Sequence, residues 1–446
     1  MRILLIGGGG REHAIAWKIV QSPLCDKLYC APGNAGIAEV AELVPMAATD
    51  VDGLVAWAVE HSIGFVVVAP DDPLALGMVD ACQAAGLRAF GPTKAAAEIE
   101  WSKVFSKDLM KRHGIPTAAY ETFSECGEAA AYAKAQNPSQ EKPLVIKADG
   151  LALGKGVVIV HSAAEAEDTL RDMMEGGRFA AAGRRVVIEE YLQGREVTVL
   201  CFTDGWTVYP MPASRDHKRA YDGDKGPNTG GMGVVTPVPD YTPELAARCM
   251  KEIFIPTVDA MRWEGRLFKG VLYFGLMLTP DGSREAVSPK VIEFNARFGD
   301  PEAQAVLPLL ESDLLEIMRA VEENWLDAVK PEWTDAACAC VVVASGGYPG
   351  DYRKGLPITG LNESGQLARS RPSPDPDVRR GAAPLVFHAG TARDADGRLI
   401  TSGGRVLAVC AKGKAPKEAL ERVYGEIDKI RFDGAFYRRD IGASPL

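Results

Sequence analysis

PLVIKADGLALGKGVVIV, at residues 143–160, places a glycine-rich turn between two apolar segments that are rich in β-branched residues. Such segments predict two antiparallel strands joined by a flexible flap. A Walker A loop needs four residues between its first glycine and Gly-Lys, followed by Ser or Thr and then a helix. Here three residues separate Gly150 from Gly154, and a strand follows. The stretch predicts a flap over a triphosphate, preceded by Lys147 and carrying Lys155, or alternatively a solvated hairpin.

The residues around the flap predict a small lobe within a larger domain. An amphipathic helix at 101–114 precedes it and is stopped by the Gly-Ile-Pro sequence that begins at Gly114. A helix at 163–175 and a strand at 184–192 follow the flap. Strands then dominate, and the predicted ones are EVTVLCF (196–202), WTVYPM (206–211), GVLYFGLML (270–278) and KVIEFN (290–295).

The first hundred residues alternate between strand and helix patterns. The predicted elements are strands at 2–7, 27–31, 64–70 and 88–92, with a helix near 76–85 before the last strand. Continuous apolar runs such as GFVVVAP are typical of strands that are buried on both faces. This alternation predicts a parallel, doubly wound sheet, with ligands at the carboxyl ends of its strands.

A run of glycines at 7–10 follows the first strand. The dinucleotide fingerprint G-x-G-x-x-G requires a third glycine for close packing of the helix against the strand. Because Glu12 or His13 stands at that position, the fingerprint fails. Two interpretations remain, a tight structural turn or a phosphate site made by backbone N–H groups at a helix N-terminus, with Arg11 supplying charge.

Composition limits the class of protein. The chain has 446 residues, with 50 Lys and Arg against 60 Asp and Glu, and so a net charge of −10. This length predicts about three domains, and the acidic balance argues against a nucleic-acid or anionic-membrane binder. No apolar run approaches the roughly 18–20 residues of a spanning helix, and the N-terminus is typical of a first strand, not a signal peptide. Nine scattered cysteines favour a reducing compartment.

KVIEFNARFGDPEAQ (290–304) carries the strongest chemical signal. In a regular strand, Ile292 and Phe294 share one face of the sheet. The opposite face then presents a carboxylate, an amide and a guanidinium, which belong to Glu293, Asn295 and Arg297. Hard oxygen ligands suit Mg²⁺, and an arginine beside them suits a transferring phosphoryl group. The alternative is an edge strand with solvent-facing polar residues.

SRDHKRAYDGDKGPNTGGMG (214–233) has no apolar periodicity and contains five glycines. Loops longer than about 12–15 residues inside a compact domain are usually functional or disordered. The mixture of basic and acidic side chains favours a loop that closes over a substrate, and a solvated excursion is the alternative. Further along, the polar stretch 361–383 is predicted to be a surface insertion, and Cys338 and Cys340 to be core thiols on one strand face.

Together, GGGGREHA, APGNAG, KADGLALGKG, SRDHKRAYDGDKGPNTGGMG and EFNARFGDPEAQ resemble the phosphoribosylamine–glycine ligase (glycinamide ribonucleotide synthetase) family of ATP-grasp enzymes. The resemblance runs in order from residue 1 to RRDIG (438–442). It implies an α/β protein with an N-terminal doubly wound parallel-sheet domain, a central two-lobed ATP-grasp domain and a small C-terminal mixed α/β domain. The implied bounds are 1–102, 103–330 with a lid lobe at about 119–193, and 331–446.

The resemblance also implies an activity and its site. Members of the family join glycine to 5-phosphoribosylamine, with ATP as co-substrate and Mg²⁺ or Mn²⁺ as cofactor. The implied ATP-binding residues are Lys103, Lys147, Lys155, Glu189, Leu192 and Glu196, and the implied metal ligands are Glu293 and Asn295. Substrate binding is implied for Gly9, Gly10, Arg11, Asn34, Ser214, Asp216, Lys218 and Arg297, and catalysis for Arg297, Lys155, Asp216 and Lys218.

Two features depart from the pattern of ATP-grasp enzymes. The strand GVLYFGLML offers no further metal-binding acid, which leaves the number of metals open, and the insertion at 361–383 looks long for the family.

The expected molecule is a cytoplasmic monomer or weak homodimer without nucleic-acid or membrane partners, in transient contact with the enzyme that supplies phosphoribosylamine. The rival hypotheses are another ATP-grasp ligase such as a carboxylase, a nicotinamide-dependent oxidoreductase and a regulator that only binds nucleotide.

Overall fold

The N-terminal region is built on a five-stranded parallel sheet. The computed structural model describes residues 1–150, 156–176, 183–281, 283–367 and 384–443. In spatial order the strands are Glu42–Leu43, Lys27–Pro32, Arg2–Gly7, Phe65–Val68 and Ala89–Phe90. The helices are Gly10–Ile19, Val51–Glu60, Asp71–Leu76, Met78–Ala84 and Lys94–Trp101, with a 3-10 turn at Ile37–Glu39. The predicted parallel, doubly wound sheet is confirmed.

The helix predicted near 76–85 is confirmed as Met78–Ala84. A further short helix, Asp71–Leu76, precedes it and meets it at Gly77. Gly77 adopts a φ of 92°, a left-handed conformation that glycine tolerates and that ends a helix. The sequence analysis predicted the second of these helices but not the first.

Whereas the turn at 151–155 lies outside the described residues, the two strands predicted on either side of the flap belong to a second, antiparallel sheet of four strands. Its order is Tyr120–Phe123, Val186–Glu190, Leu144–Ala148 and Val157–Val160, and the helices Cys126–Ala135 and Ala163–Met174 pack on it. Strands Leu144–Ala148 and Val157–Val160 pair with each other, as predicted. Helix Lys103–His113 leads into this lobe, with Ser102 as its N-cap and Gly114 as its C-cap.

A third sheet carries the segment KVIEFN. Its four antiparallel strands, in spatial order, are Val208–Pro210, Arg195–Thr203, Gly270–Asp281 and Ser283–Asn295. The adjoining helical segments are Pro243–Cys249, the π-helix Met250–Phe254, Ile255–Trp263, Glu302–Val306, Leu307–Leu309, Leu314–Glu323 and Leu326–Ala328. No helix in the described ranges has the length and apolar character that crossing a membrane requires.

The C-terminal sheet takes two of its five strands from the central part of the chain. In order they are Arg215–Asp216, Gly233–Thr236, Ala337–Ala344, Arg405–Gly413 and Leu385–His388, with Pro416–Ile427 packed against them. Short strands Thr391–Arg393 and Leu399–Thr401 form a separate pair. The segment 214–233, predicted as a loop, instead begins and ends in strands. Its end pairs with Ala337–Ala344 and its start pairs with Gly233–Thr236, which apolar alternation does not indicate. Its closing over a substrate stays a prediction.

The same segment contains a hairpin of its own, in which Arg219–Tyr221 pairs with Lys225–Asn228.

Three other predictions concern the C-terminal half and the domain bounds. Cys338 and Cys340 are buried, as predicted. Of the predicted surface insertion, residues 368–383 lie outside the described part of the chain. The three domain ranges given above stay a prediction.

Candidate functional site

The first glycine turn and the following helix are fixed by Glu12. Its carboxylate accepts a hydrogen bond from the backbone N–H of Gly9 at 2.6 Å and pairs with Arg11 at 2.6 Å. Arg11 is buried and also donates to the carbonyl of Phe298 at 3.1 Å. Its charge is thus already engaged within the protein, whereas the backbone of Gly9 lines an open cleft.

Asn34, in the PGN loop, uses its whole amide for contacts with the protein. Its Nδ2 donates to the carbonyls of Gly8 at 2.9 Å and His388 at 2.8 Å. Its Oδ1 accepts from the backbone N–H groups of Gly36 and Ile37, both at 2.9 Å. An amide has two donors and one acceptor oxygen with two lone pairs, so Asn34 borders the cleft with its hydrogen-bonding capacity occupied.

The cleft has a volume of about 350 Å³ and lies where the N-terminal and C-terminal regions meet. It is lined by Gly8, Gly9, Gly33 and Asn34 from one side, and by Tyr348, Ala389, Gly390, Thr391, Ser402, Gly403 and Arg405 from the other, with Asp300 between them. Gly10, Arg11, Ser214 and Asp216 are outside this lining. Asp300 belongs to the RFGDPE motif, but the C-terminal residues carry no sequence signal that identifies them.

Arg405 and Asp300 form the charged end of the cleft. The guanidinium donates to the carbonyls of Gly230 and Asp300, both at 2.7 Å, and lies 3.3 Å from the Asp300 carboxylate. Burial raises the pKa of Asp300, but Arg405 and Arg11 outweigh burial and hold that pKa below its ordinary value. A charged carboxylate and a guanidinium are therefore both present at the junction of the loops.

A buried carboxylate joins two lysines on the inner face of the flap-bearing sheet. Glu189 lies 3.0 Å from Lys107 Nζ and 2.9 Å from Lys147 Nζ. Lys147 also donates to the carbonyl of Ile292 at 3.1 Å. Burial lowers the pKa of Lys107 to about 8, although Glu189 opposes that shift. Glu189, implied as an adenine-binding residue, here holds Lys147 in place.

The remaining residues implied for ATP binding occupy different environments. Lys103 Nζ donates to the carbonyl of Gly150 at 3.3 Å, at the start of the flap, and burial lowers its pKa. Glu196 lies 3.7 Å from Lys218 with half of its side chain exposed. Leu192 is half-buried beyond strand Val186–Glu190. Lys155 lies outside the described residues.

Glu293 and Asn295 end a strand, and each already has a cationic partner. Lys218 Nζ lies 3.1 Å from Glu293 Oε1 and, with Lys147 assisting, lowers the pKa of Glu293 to about 2 despite its burial. Arg297 donates to Asn295 Oδ1 at 3.2 Å and pairs with Glu100 at 2.9 Å. The three side chains of the predicted polar face are thus held in a network of two neighbouring ion-paired sets, one around Glu293 and one around Arg297.

The apolar side of the same strand was predicted incorrectly. Gly275 pairs with Glu293 but Leu276 pairs with Val291, so Ile292 is the extra residue of a β-bulge. Val291 and Phe294 are buried in the core, whereas Ile292 is only half-buried. A bulge shifts by one residue the alternation of side chains between the two faces of the sheet. The prediction assumed a regular strand, in which no such shift occurs.

The segment 214–218 brings polar side chains toward this network. Ser214 Oγ and Asp216 Oδ1 are buried without a hydrogen-bond partner among the described residues. Burial, with the nearby charge of Glu302, raises the pKa of Asp216 well above its usual range. Lys218 has its pKa lowered by burial, yet Glu293 and other acids raise it above the ordinary value overall. Glu302, which the sequence did not single out, thus belongs to the same charge cluster.

The whole chain matches known proteins along its length. Three family models match in order: "Phosphoribosylglycinamide synthetase, N domain" at 1–100, its "ATP-grasp (A) domain" at 101–303 and its "C domain" at 338–444. A phosphoribosylamine–glycine ligase of Halalkalibacterium halodurans is 48% identical over 448 residues, covering 100% of this chain and 97% of that relative. One of Caulobacter vibrioides is 48% identical, covering 99% of this chain and 98% of that relative.

Among solved structures, a phosphoribosylamine–glycine ligase from Thermotoga maritima aligns with a TM-score of 0.81 at 32% identity, covering 99% of this chain and all of that one. A biotin carboxylase from Campylobacter jejuni aligns with a TM-score of 0.73 at 13% identity, covering 97% and 92% of the two chains. At that identity the second likeness concerns the fold alone.

Proposed function

Because the chain belongs to the phosphoribosylglycinamide synthetase family, we propose that it joins glycine to 5-phosphoribosylamine in an ATP-dependent step of purine biosynthesis. The products are glycinamide ribonucleotide, ADP and phosphate. The observation that carries this assignment is the match to all three family models, in order, together with relatives about half identical over nearly the full chain. The open cleft between the N-terminal and C-terminal regions supplies room for a second substrate.

The chemistry begins from the poor electrophilicity of a carboxylate. Transfer of the γ-phosphoryl group of ATP to the glycine carboxylate forms a P–O bond and gives glycyl phosphate, with ADP as leaving group. Attack by the amine of phosphoribosylamine then forms the C–N bond, and phosphate leaves with a glycine oxygen. This route needs no enzyme nucleophile, so the protein contributes positioning and stabilisation of charge.

The residues proposed for phosphoryl transfer surround Glu293. Lys147 and Lys103 lie at the base of the flap, where they would bind ATP phosphates, with Lys155 in the flap itself. Arg297 is fixed by Glu100 at 2.9 Å, and its proposed role is to stabilise charge on the transferring group. Leu192, Glu189 and Glu196 would border the nucleoside.

A divalent metal fits the donor set of this site. Glu293 and Asn295 offer two hard oxygens on one strand end, and the described residues contain no group of three or more potential His, Cys, Asp or Glu ligands. Magnesium commonly takes one or two protein oxygens and completes its shell with substrate phosphates and water. When bound, it would neutralise phosphate charge, and Mn²⁺ fits the same oxygens.

The phosphoribosyl group is assigned to the cleft. Gly8 and Gly9 of the glycine turn line the cleft, and backbone N–H groups at a helix N-terminus suit a phosphate. The Gly9 N–H already donates to Glu12, so we assign the phosphate to the N–H groups beside it. Arg405 adds positive charge nearby. Ser214, Asp216 and Lys218 are proposed to lie near the reacting amine and carboxylate. Gly10 and Arg11 would shape the turn without lining the cleft.

The assignment is tested by ADP release with ATP and Mg²⁺, adding glycine and phosphoribosylamine separately and together. We expect turnover only with both, with glycinamide ribonucleotide and ADP formed in equal amounts. Turnover with bicarbonate in place of glycine would reject the substrates and keep the fold. Glycine labelled with ¹⁸O in its carboxylate tests the intermediate, since glycyl phosphate requires that the released phosphate carry one labelled oxygen.

The state of the protein in the cell is part of the same proposal. All nine cysteines are unpaired thiols, which supports a reducing, cytoplasmic location. We infer a monomer or weak homodimer that contacts the enzyme supplying phosphoribosylamine only transiently. Light scattering after size-exclusion chromatography, with and without that enzyme, checks both statements; a stable complex or a tight dimer would contradict them.

A further inference from the structure

His388 lies at the junction of the N-terminal and C-terminal regions and is held from two sides by N-terminal residues. Its backbone N–H donates to His13 Nδ1 at 2.7 Å. Its carbonyl accepts from Asn34 Nδ2 at 2.8 Å. Both main-chain polar groups of His388 are therefore hydrogen-bonded to side chains of the N-terminal region.

The imidazole of His388 extends this connection within the C-terminal region. Its Nε2 lies 2.8 Å from the carbonyl of Gly365, and its Nδ1 lies 3.0 Å from Thr391 Oγ1. His13 is buried and its ring packs edge-on against Phe387 at 5.5 Å. Since His13 Nδ1 accepts a hydrogen bond from a backbone N–H, the ring is neutral with its proton on Nε2.

Gly36 shows how closely these groups fit. A Cβ atom at Gly36 would collide with the rings of both His13 and His388. The backbone of Gly36 also donates to Asn34 Oδ1 at 2.9 Å. Position 36 thus has no side chain because two imidazoles occupy that space.

Three parts of this network reach the substrate cleft. Asn34 Nδ2 also donates to the carbonyl of Gly8 at 2.9 Å, and Gly8, Asn34 and Thr391 line the cleft. We propose that His13 and Asn34 are positioning residues, which fix residues 388–391 against the glycine turn and so set the shape of the phosphoribosylamine site. Neither residue touches the reacting atoms.

This inference rests on the proposed function, because it assumes that the cleft binds phosphoribosylamine. The test compares His13→Phe, which keeps a ring but loses the acceptor, with His13→Asn, whose amide oxygen can take the place of Nδ1. The matched control is His61→Phe, since His61 Nδ1 lies 2.9 Å from the carbonyl of Trp57 in a different part of the N-terminal region. All three variants are made in the full chain.

We expect His13→Phe to raise the KM for phosphoribosylamine roughly tenfold, since it leaves a buried N–H unsatisfied. The kcat and the KM values for ATP and glycine should stay within about twofold, as should every constant of His61→Phe. His13→Asn should recover most of the loss. Because Asn34→Ala removes the second contact with His388 without adding charge to the cleft, combining it with His13→Phe should add little to either single variant.

Calorimetric titration with glycinamide ribonucleotide gives a second readout and separates the two ways to fail. If the wild-type protein neither turns over phosphoribosylamine nor binds this nucleotide, the proposed function is wrong. If the wild-type protein does both and His13→Phe behaves as His61→Phe, only the positioning role is overturned. A uniform fall in kcat with all three KM values altered in His13→Phe would likewise overturn it in favour of a purely structural role.

Discussion

Replacing Glu189 by Gln tests whether its buried carboxylate organises the lysines behind the flap. The substitution keeps the size of the side chain and removes one negative charge from between Lys107 and Lys147. Both ion pairs are short, at 3.0 and 2.9 Å, and the three side chains are only 3–7% exposed. The variant therefore leaves two ammonium groups in a buried position with no carboxylate between them.

The expected loss follows from this burial. Removing one partner of a buried ion pair typically costs about 3–5 kcal/mol, because the other charge is left uncompensated. Lys107 can limit the loss by releasing its proton, since burial already lowers its pKa to about 8 against the opposing effect of Glu189. We therefore expect about 3 kcal/mol at neutral pH, and a smaller loss as the pH rises through 8 because a neutral lysine needs no partner.

Hydrogen exchange is the suitable assay, because a protein with several domains has no single unfolding free energy. Amides of strands Val186–Glu190 and Leu144–Ala148 report on this sheet locally. A loss of about 3 kcal/mol corresponds to exchange on the order of 10²-fold faster in these strands. Amides of the N-terminal sheet, such as those of Phe65–Val68, should exchange as in the wild-type protein.

The neighbouring residue provides the control. Glu190→Gln makes the same chemical change one position along the strand, where the carboxylate pairs with Lys290 at 3.2 Å and both side chains are about one-third to one-half exposed. An exposed pair contributes about 0–1 kcal/mol, so exchange should accelerate at most a few-fold. Equal effects of Glu189→Gln and Glu190→Gln would refute the assignment of a buried charge centre to Glu189.

Three further predictions concern the site and its support. Arg297→Ala should lower kcat by about 10²–10³-fold while the dissociation constant for ATP changes little; near-normal turnover in single-turnover assays contradicts the role. Gly231→Ala should lower kcat/KM for phosphoribosylamine by at least tenfold, because Gly231 has a φ of 112° and a Cβ there would meet Pro301 and Asp216; unchanged kinetics would show that the loop adapts. Acid should destabilise the protein through His13, whose pKa burial lowers from 6.5 to about 3 with His388 assisting. The unfolded chain takes up a proton between these two pKa values and the folded chain does not, so stability falls as the pH drops from 6.5 toward 3. Hydrogen-exchange protection of helix Gly10–Ile19, corrected for the intrinsic exchange rate, should depend less on pH in His13→Asn.

Apolar runs and turn residues were sufficient to predict the strands whose structure they directly cause. The continuous apolar run at 64–70 predicted a strand buried on both faces, and Phe65–Val68 is such a strand. The glycine turn between two apolar segments predicted the paired strands Leu144–Ala148 and Val157–Val160. In these cases the periodicity or the turn residues themselves cause the structure.

The rest depended on partners distant in the chain. Arg405 carries no motif, and it reaches the cleft only because strand Arg405–Gly413 is paired beside Ala337–Ala344. Arg215–Asp216 and Gly233–Thr236 are ordered by that same sheet, although their own residues do not alternate. In the sequence, His13 is only a residue at which the glycine fingerprint fails. Its contact with His388 joins residues 375 positions apart, and no local pattern indicates it.

The ion pairs of the site explain why the affinity for a ligand should depend on where the ligand places its negative charges. Three cations of the site already pair with a carboxylate of the chain, namely Lys147 with Glu189, Lys218 with Glu293, and Arg297 with Glu100. A phosphate that approaches any of them competes with a carboxylate that is fixed at about 3 Å, so its net gain is the difference between two similar attractions. That difference is favourable only when several oxygens of the ligand reach several cations together. A paired site of this kind therefore discriminates by the placement of charge, and single anions in solution gain little from it.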